Sequence, residues 1–325
     1  MLEQALEHHV FGVIWPHLNR TFVPESVWSE FLYRRTVLAA FQESVTSAFE
    51  MVVASFGSDN LRVCALKGPA LSARLYGDPA LRSSIDLDFL IAPDDLDRAV
   101  AQMARLGYGG KPDTTVAYLR RHGHHLQFTK TGATSIELHF QAYAGFGVTL
   151  SSAALMDRAI AYRFSERTTV LVPSAEDEFI YLAVHAAGHS FGRLLWLYDL
   201  KTLLLKNPQM DWEQIVSRSR QAQVSTAVGY AVRLLIQWFH MPLEREMRAF
   251  PRTGVRLGSA HVILPLAAQG GRVSVFNNLK GLVFSAMLCD RPQATLWMLQ
   301  HHILRSFRRR AQRAVPQLLP ESWSG

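Results

Sequence analysis

The run Ile85-Asp86-Leu87-Asp88-Phe89-Leu90-Ile91 constrains this chain more than any other segment. It is β-prone, and side chains alternate along a strand, so Asp86 and Asp88 share one face while Leu87 and Phe89 take the other. One face must meet a core and the other must carry two neighbouring carboxylates. Like charges that close repel unless a cation lies between them, and paired hard oxygen ligands suit Mg²⁺ completed by water and phosphate oxygens. A D-x-D by itself is common and more often marks a solvated strand edge, so the reading depends on what surrounds it.

Two surroundings strengthen it. In Ser135-Ile136-Glu137-Leu138-His139-Phe140 the same alternation puts Glu137 and His139 on one face, offering a third carboxylate from a second strand. Three carboxylates on adjacent strands can hold two Mg²⁺ ions about 3.5–4 Å apart for an in-line displacement. Upstream, Leu61 to Leu66 reads as a strand, Lys67-Gly68-Pro69 as a tight turn, and Ala70 to Tyr76 as a helix with Pro69 in its first turn. Gly68 lets a phosphate approach the first N–H groups of that helix. Lys67, Arg82, Ser83 and Ser84 are the further candidates for holding a triphosphate.

The rest of the chain frames this region. Phe31, Leu38, Val45 and Val52 recur at steps of seven, with Phe41 and Phe49 between them, which predicts a long amphipathic helix over 27–56. A helix from about Asp94 follows the acidic strand, with Gly107 as its C-cap, and His125 to Thr129 pairs with Ser135 to Phe140 across a hairpin-length connection. Residues 145–172 carry no clear pattern. From Pro173 onward apolar steps of three and four predict helices at 176–189, 193–205, 212–221, 224–239 and 295–314. The expected organisation is N-terminal helices over 1–57, a catalytic domain over 58–172 and a helical domain over 173–325. The fold class is α+β: a mixed α/β region followed by a C-terminal helical domain.

The run Leu66-Lys67-Gly68, the stretch from Leu75 through Gly77-Asp78-Pro79 and Arg82-Ser83-Ser84 to Asp88, and Ile136-Glu137-Leu138-His139 together resemble the bacterial uncharacterised nucleotidyltransferase family, a branch of the DNA polymerase β-like superfamily. The resemblance extends to Glu176-Asp177 and to His185 through Asp199, covering roughly residues 30–240. It implies a small mixed sheet flanked by helices and a Mg²⁺-dependent enzyme, with Mn²⁺ as the alternative ion, in which Asp86, Asp88 and Glu137 bind metal and an NTP such as ATP donates a nucleotidyl group. The wider superfamily has Gly-Ser where this chain has Gly68-Pro69, with a longer spacing to Asp86. That departure bears on the triphosphate contacts.

Other polar residues have plainer readings beside functional ones. His185, His189 and Arg193 fall at steps of four, with Trp196 and Asp199 following, so a helix continuing through Gly192 would align them as one stripe facing the cleft or as a buried polar network. Two histidines at that spacing are compatible with zinc, yet no H-E-x-x-H pattern or third ligand accompanies them. His139 is placed to orient Glu137 by a hydrogen bond. His124 and His125, beside Arg120, Arg121 and His122, read as a polar loop and strand start.

Composition decides less. A chain of 325 residues, 49% apolar, can bury a large core, and its net charge of +7 favours polyanions or nucleotide phosphates alike. Arg305, Arg308, Arg309, Arg310 and Arg313 concentrate charge near the C-terminus and suggest contact with RNA or another polyanion. Acidic Glu3 where a signal peptide is basic, no uninterrupted apolar run near 18 residues, and two distant cysteines lead to the expectation of a cytoplasmic protein without a transmembrane segment. The acceptor, whether an RNA end, a protein or a small molecule, is not written in the pattern. A metal-dependent nucleotide-sugar glycosyltransferase would also use D-x-D but gives Glu137 no role, and a non-catalytic nucleotide- or RNA-binding module gives none to the three acids together.

Overall fold

The computed structural model describes residues 2–110, 120, 123–145, 148–251, 284–291 and 293–296. The arginine-rich C-terminal segment, and with it the expected polyanion contact, lies outside the described residues, as do Arg121, His122 and most of 250–285.

A six-stranded mixed sheet organises the fold, with β1 (Val63–Ala65), β2 (Asp86–Ile91), β3 (His125–Phe128), β4 (Ser135–His139), β7 (Ile160–Arg163) and β8 (Thr169–Val172) in the order β3-β4-β2-β1-β8-β7. The 145–172 region, patternless in sequence, supplies the last two strands and a short helix, and the pair β5 (Tyr143–Gly145) and β6 (Val148–Leu150) stands apart from the main sheet. Strand β2 runs parallel to β4, pairing Asp86 with Ser135 and Asp88 with Glu137, and antiparallel to β1, pairing Phe89 with Ala65.

Strict alternation sorts each strand between two cores. Val63, Ala65, Leu87, Phe89, Ile91, Ile136, Leu138, Val170 and Val172 fill one face beneath two helices, α3 (Glu25–Ser58) and α5 (Leu96–Arg105). Cys64, Leu66 and Leu90 point the other way into a larger cluster. That cluster is filled by α4 (Gly68–Tyr76), α6 (Ser152–Arg158), α7 (Ala175–Gly188), α8 (Leu194–Lys206), α9 (Trp212–Gln221) and α10 (Ser225–Phe239). Short helices α1 (Leu2–Glu7) and α2 (Phe11–Ile14) pack with Phe31 of α3 and Leu195 of α8 in a third cluster.

Two sequence expectations are corrected. On α3, Phe49 packs on Phe89 with ring centroids 5.5 Å apart, but Phe41 is 42% exposed and the neighbouring Gln42 takes the inward place. Apolar spacing could not rank Phe41 against Gln42, because the inward partner at that level is polar backbone. The helix imagined through Gly192 is also broken: α7 ends at Gly188, and Ser190 and Phe191 adopt left-handed φ of 54° and 52° before α8 begins. Gly188 is required where α7 stops, since a Cβ there would lie 2.5 Å from the Tyr143 hydroxyl.

Among the described residues, α3 alone is long and apolar enough by length and composition to cross a membrane. Interrupting polar residues hide it from a search for uninterrupted runs. Its Val45, Phe49, Val52 and Phe56 are buried on the sheet, while Val27, Leu32, Val37 and Phe41 remain exposed. Replacing Phe49 by alanine should therefore cost about 3–5 kcal/mol of stability, whereas Val37→Ala on the outer face should stay within about 0.5 kcal/mol. Guanidinium unfolding midpoints of the two variants check the difference.

Candidate active site

Asp86, Asp88 and Glu137 come together because β2 and β4 are parallel neighbours in a register that sets Asp88 directly beside Glu137. All three lie on the face opposite Leu87 and Phe89, where α7 leaves a gap over the strand starts. Asp88 is almost wholly buried, and its two oxygens meet different partners: Lys67 Nζ lies 3.0 Å from Oδ2, and His139 Nε2 lies 3.0 Å from Oδ1. The Lys67 contact is an ion pair rather than an aligned hydrogen bond. His139 Nε2 is also 3.5 Å from Glu137 Oε2, and His125 Nε2 lies 3.7 Å from the same oxygen.

The turn that aims Lys67 follows from Gly68, which has φ of +70° and stands against Leu87. A side chain there would be strained, so glycine is needed for the turn as well as for open approach. Lys67 Nζ also reaches to 3.5 Å from His185 Nε2 on α7.

Arg82 lines the same gap, but its guanidinium is turned inward. Arg82 Nε donates to Asp199 Oδ2 at 2.9 Å, and Asp199 Oδ1 accepts from the Tyr76 hydroxyl at 2.7 Å. The rest of the loop entering β2 is fastened as firmly. Ser72 Oγ accepts from the Arg82 amide at 3.0 Å and donates to the Asp78 carbonyl at 2.6 Å. Gln42 Nε2 donates to the Ser84 carbonyl at 2.9 Å while its Oε1 accepts from the Ser84 amide at 3.1 Å. Sequence reasoning missed Gln42, and the one signal was a polar residue on an otherwise apolar helical stripe. Asp199, grouped with the histidines by spacing, is fully buried away from them.

Electrostatics reflect this crowding. Burial and the neighbouring Asp88 push the Asp86 carboxyl up, against the pull of Lys67. Burial also opposes ionisation of Asp88, but Lys67 and the His139 hydrogen bond hold it well below the usual carboxylate range. Glu137 is likewise held below its ordinary value, the His139 hydrogen bond and His125 outweighing burial and Asp88. Burial, Lys67 and His189 push His185 well down, leaving it a neutral imidazole.

Two cavities meet at Lys67, Asp86 and Asp88. One, about 240 Å³, is lined by Gly68, Arg82, Ser83, Ser84, Arg193, Trp196 and His9, with His185 and His189 in its wall. The other, about 290 Å³, is lined by Glu137, His139, His124, His125, Tyr143 and Tyr181, and it too reaches His185 and His189. The three acids, the triphosphate candidates, His139, His185, His189 and Arg193 all lie on one cavity or the other, whereas Asp199 lies on neither. Trp196, aligned with the histidines by spacing, joins the first, and His9, Tyr143 and Tyr181 join without a spacing signal of their own.

A divalent cation suits this donor set. The oxygens are hard, the like charges on Asp86, Asp88 and Glu137 crowd one face, and Asp88 already draws positive groups onto both its oxygens. Asp88, Glu137 and His139 each offer a ligand atom within 4.8 Å of the others.

Residues 1–240 match a family described as uncharacterised nucleotidyltransferase. No curated protein sequence matches the chain. The solution structure of the antibiotic-resistance factor ANT(2'')-Ia is 15% identical, with a TM-score of 0.39 over 56% of this chain and 95% of that one. An antigenic nucleotidyltransferase-like protein from Paracoccidioides brasiliensis is also 15% identical, with a TM-score of 0.35 over 64% of this chain and 94% of that one.

Because Arg82 and Asp199 are both buried, removing one partner strands the other's charge. Asp199→Ala should cost about 3–5 kcal/mol, and the double replacement Arg82→Met/Asp199→Leu should recover most of that loss. Chemical denaturation of the three proteins tests it; equal stability of single and double variants contradicts the stranded charge.

Proposed function

The chain belongs to the uncharacterised nucleotidyltransferase family, and from that premise we propose that it transfers a nucleotidyl group from a nucleoside triphosphate to an acceptor hydroxyl. The observation that carries the proposal is the in-register pairing of Asp88 with Glu137, which sets three carboxylates between two cavities of different character. Bound at Asp86, Asp88 and Glu137, Mg²⁺ or Mn²⁺ would supply charge neutralisation and polarisation of the phosphate oxygens.

The remaining chemistry falls to the chain's own side chains. The cavity with Gly68, Ser83, Ser84 and Arg193 takes the triphosphate: Gly68, at the start of α4, leaves room for close approach, and half-buried Arg193 adds a charge. Lys67 sits at the junction of the cavities, where it shares its charge between Asp88 and the incoming phosphate. Arg82 acts through the loop it anchors, holding Ser83 and Ser84 in place. Trp196, already under the Arg193 guanidinium at 5.3 Å, offers a flat apolar surface for the base.

The acceptor enters the second cavity, beside Glu137. Glu137 takes the proton of the acceptor hydroxyl as its oxygen bonds to the α-phosphorus, and the bond from that phosphorus to the bridging oxygen breaks to release pyrophosphate. His139 holds Glu137 ionised and oriented for this role. Neutral His185 accepts from Lys67 and keeps its ammonium turned toward the acids.

Incubation of the protein with Mg²⁺, each α-³²P-labelled NTP and cellular RNA, protein or metabolite fractions should transfer label to one acceptor class. Asp86→Asn/Asp88→Asn should lower transfer by at least about 100-fold, the scale of losing a key transition-state electrostatic contact. Nucleotide binding without transfer under any condition would instead identify a binding module, and tight UDP-sugar binding without NTP turnover a glycosyltransferase.

A further inference from the structure

Beside the acids the second cavity gathers a group of donors that nucleotidyl transfer does not need. His124 and His125 lead into β3, whose antiparallel register with β4 sets His125 opposite His139. The ring centroids of the three histidines are 4.5 Å, 5.1 Å and 5.6 Å apart, and each offers a ligand atom within 4.8 Å of the others. We propose that His124, His125 and His139, with Glu137 beside two of the rings, form a nitrogen-rich site for a borderline divalent ion of the Zn²⁺ class, distinct in chemistry from an all-oxygen Mg²⁺ site.

Distances support this assignment. His125 Nε2 and His139 Nε2 approach the same oxygen, Glu137 Oε2, at 3.7 Å and 3.5 Å. These are long for hydrogen bonds. They come close to the edge of a coordination tetrahedron, which for Zn–N and Zn–O bonds of 2.0–2.1 Å is about 3.4 Å. An octahedral Mg²⁺ site with similar bonds has edges of about 3.0 Å and strongly prefers oxygen. Three imidazoles, with a carboxylate beside them, make up a ligand set that suits Zn²⁺ and related ions. His139 is buried and its Nδ1 has no hydrogen-bond partner among the described residues, while its Nε2 faces Asp88 and Glu137.

The site shares Glu137 with the proposed transfer reaction, but it rests on nitrogen donors and stands or falls separately. The probe is Co²⁺, titrated into the full-length, EDTA-stripped protein in the presence of a large excess of Mg²⁺. One Co²⁺ per chain should bind with visible ligand-field bands, resist displacement by Mg²⁺ and yield to Zn²⁺. His125→Ala should weaken binding by more than the roughly 10- to 100-fold that loss of an outer-shell partner costs, while Asp86→Asn should leave the bands in place. If His125→Ala does not fold, electron spin-echo measurements on the Cu²⁺-loaded wild type in excess Mg²⁺ test the same point without mutation, because imidazole ligation gives ¹⁴N couplings. Displacement of Co²⁺ by Mg²⁺, bands unchanged in a folded His125→Ala protein, or absence of ¹⁴N couplings would overturn the site. Label transfer with Mg²⁺ alone, combined with any of those results, leaves the transferase reading standing. A nitrogen-bound ion without label transfer leaves this site standing and removes that reading.

Discussion

The buried pair of Arg82 and Asp199 ties the acidic strand to the helices. A guanidinium and a carboxylate inside a protein are tolerated only when each satisfies the other, and here the tyrosine hydroxyl of Tyr76 and the hydroxyl of Ser84 complete the arrangement. Arg82 belongs to the loop before β2, Tyr76 to the end of α4 and Asp199 to the middle of α8, so one charge pair fixes three elements at the point where the acids begin. With the loop fixed, the first residue of β2 has a defined place, and the alternation of the strand does the rest. Asp86 and Asp88 face the gap because Leu87 and Phe89 are committed to the core under α3.

Around the acids the fold sorts its cations by kind. An ammonium, Lys67, stands on Asp88 at the junction of the two cavities; the guanidiniums of Arg82 and Arg193 lie on one side only, whereas imidazoles line both. Guanidiniums hold their charge in any surroundings and suit phosphate. Imidazoles can be neutral donors, acceptors or ligands, and suit groups whose charge changes during a reaction. Burial and the Lys67 charge push His185 well down, while the carboxylates, against burial, raise His139 above its ordinary value, so two rings of one residue type near Asp88 are shifted in opposite directions.

Much of this was legible in the chain itself. Period-two alternation placed Asp86, Asp88 and Glu137 on common faces, and the Lys67-Gly68-Pro69 turn was visible as strand, turn and helix. The parallel register that sets Asp88 beside Glu137 was not legible, since it depends on how β4 returns after an excursion of some forty residues. The inward place of Gln42 was hidden because it answers a backbone segment, not a side-chain pattern. The break between α7 and α8 was legible as separate helices at 176–189 and 193–205, but the left-handed Ser190 and Phe191 that turn the chain there were not. His124 and His125 read as a polar loop and strand start: the β3–β4 hairpin was legible, but not the register that sets His125 opposite His139.

Gln42 joins the back of the sheet to the mouth of the site through a single residue of α3. Its amide pairs with both backbone groups of Ser84, as a neighbouring strand would, so the Ser84 amide is shielded by a helix whose other inward residues are locked into the apolar layer behind β2. Hydrogen exchange at that amide requires α3 to leave the sheet, an opening that approaches unfolding of the whole molecule. The floor of the site thus belongs to the slowest-exchanging part of the protein. Motions that admit and release substrate are left to the cavity walls contributed by α7, α8 and the β5–β6 pair.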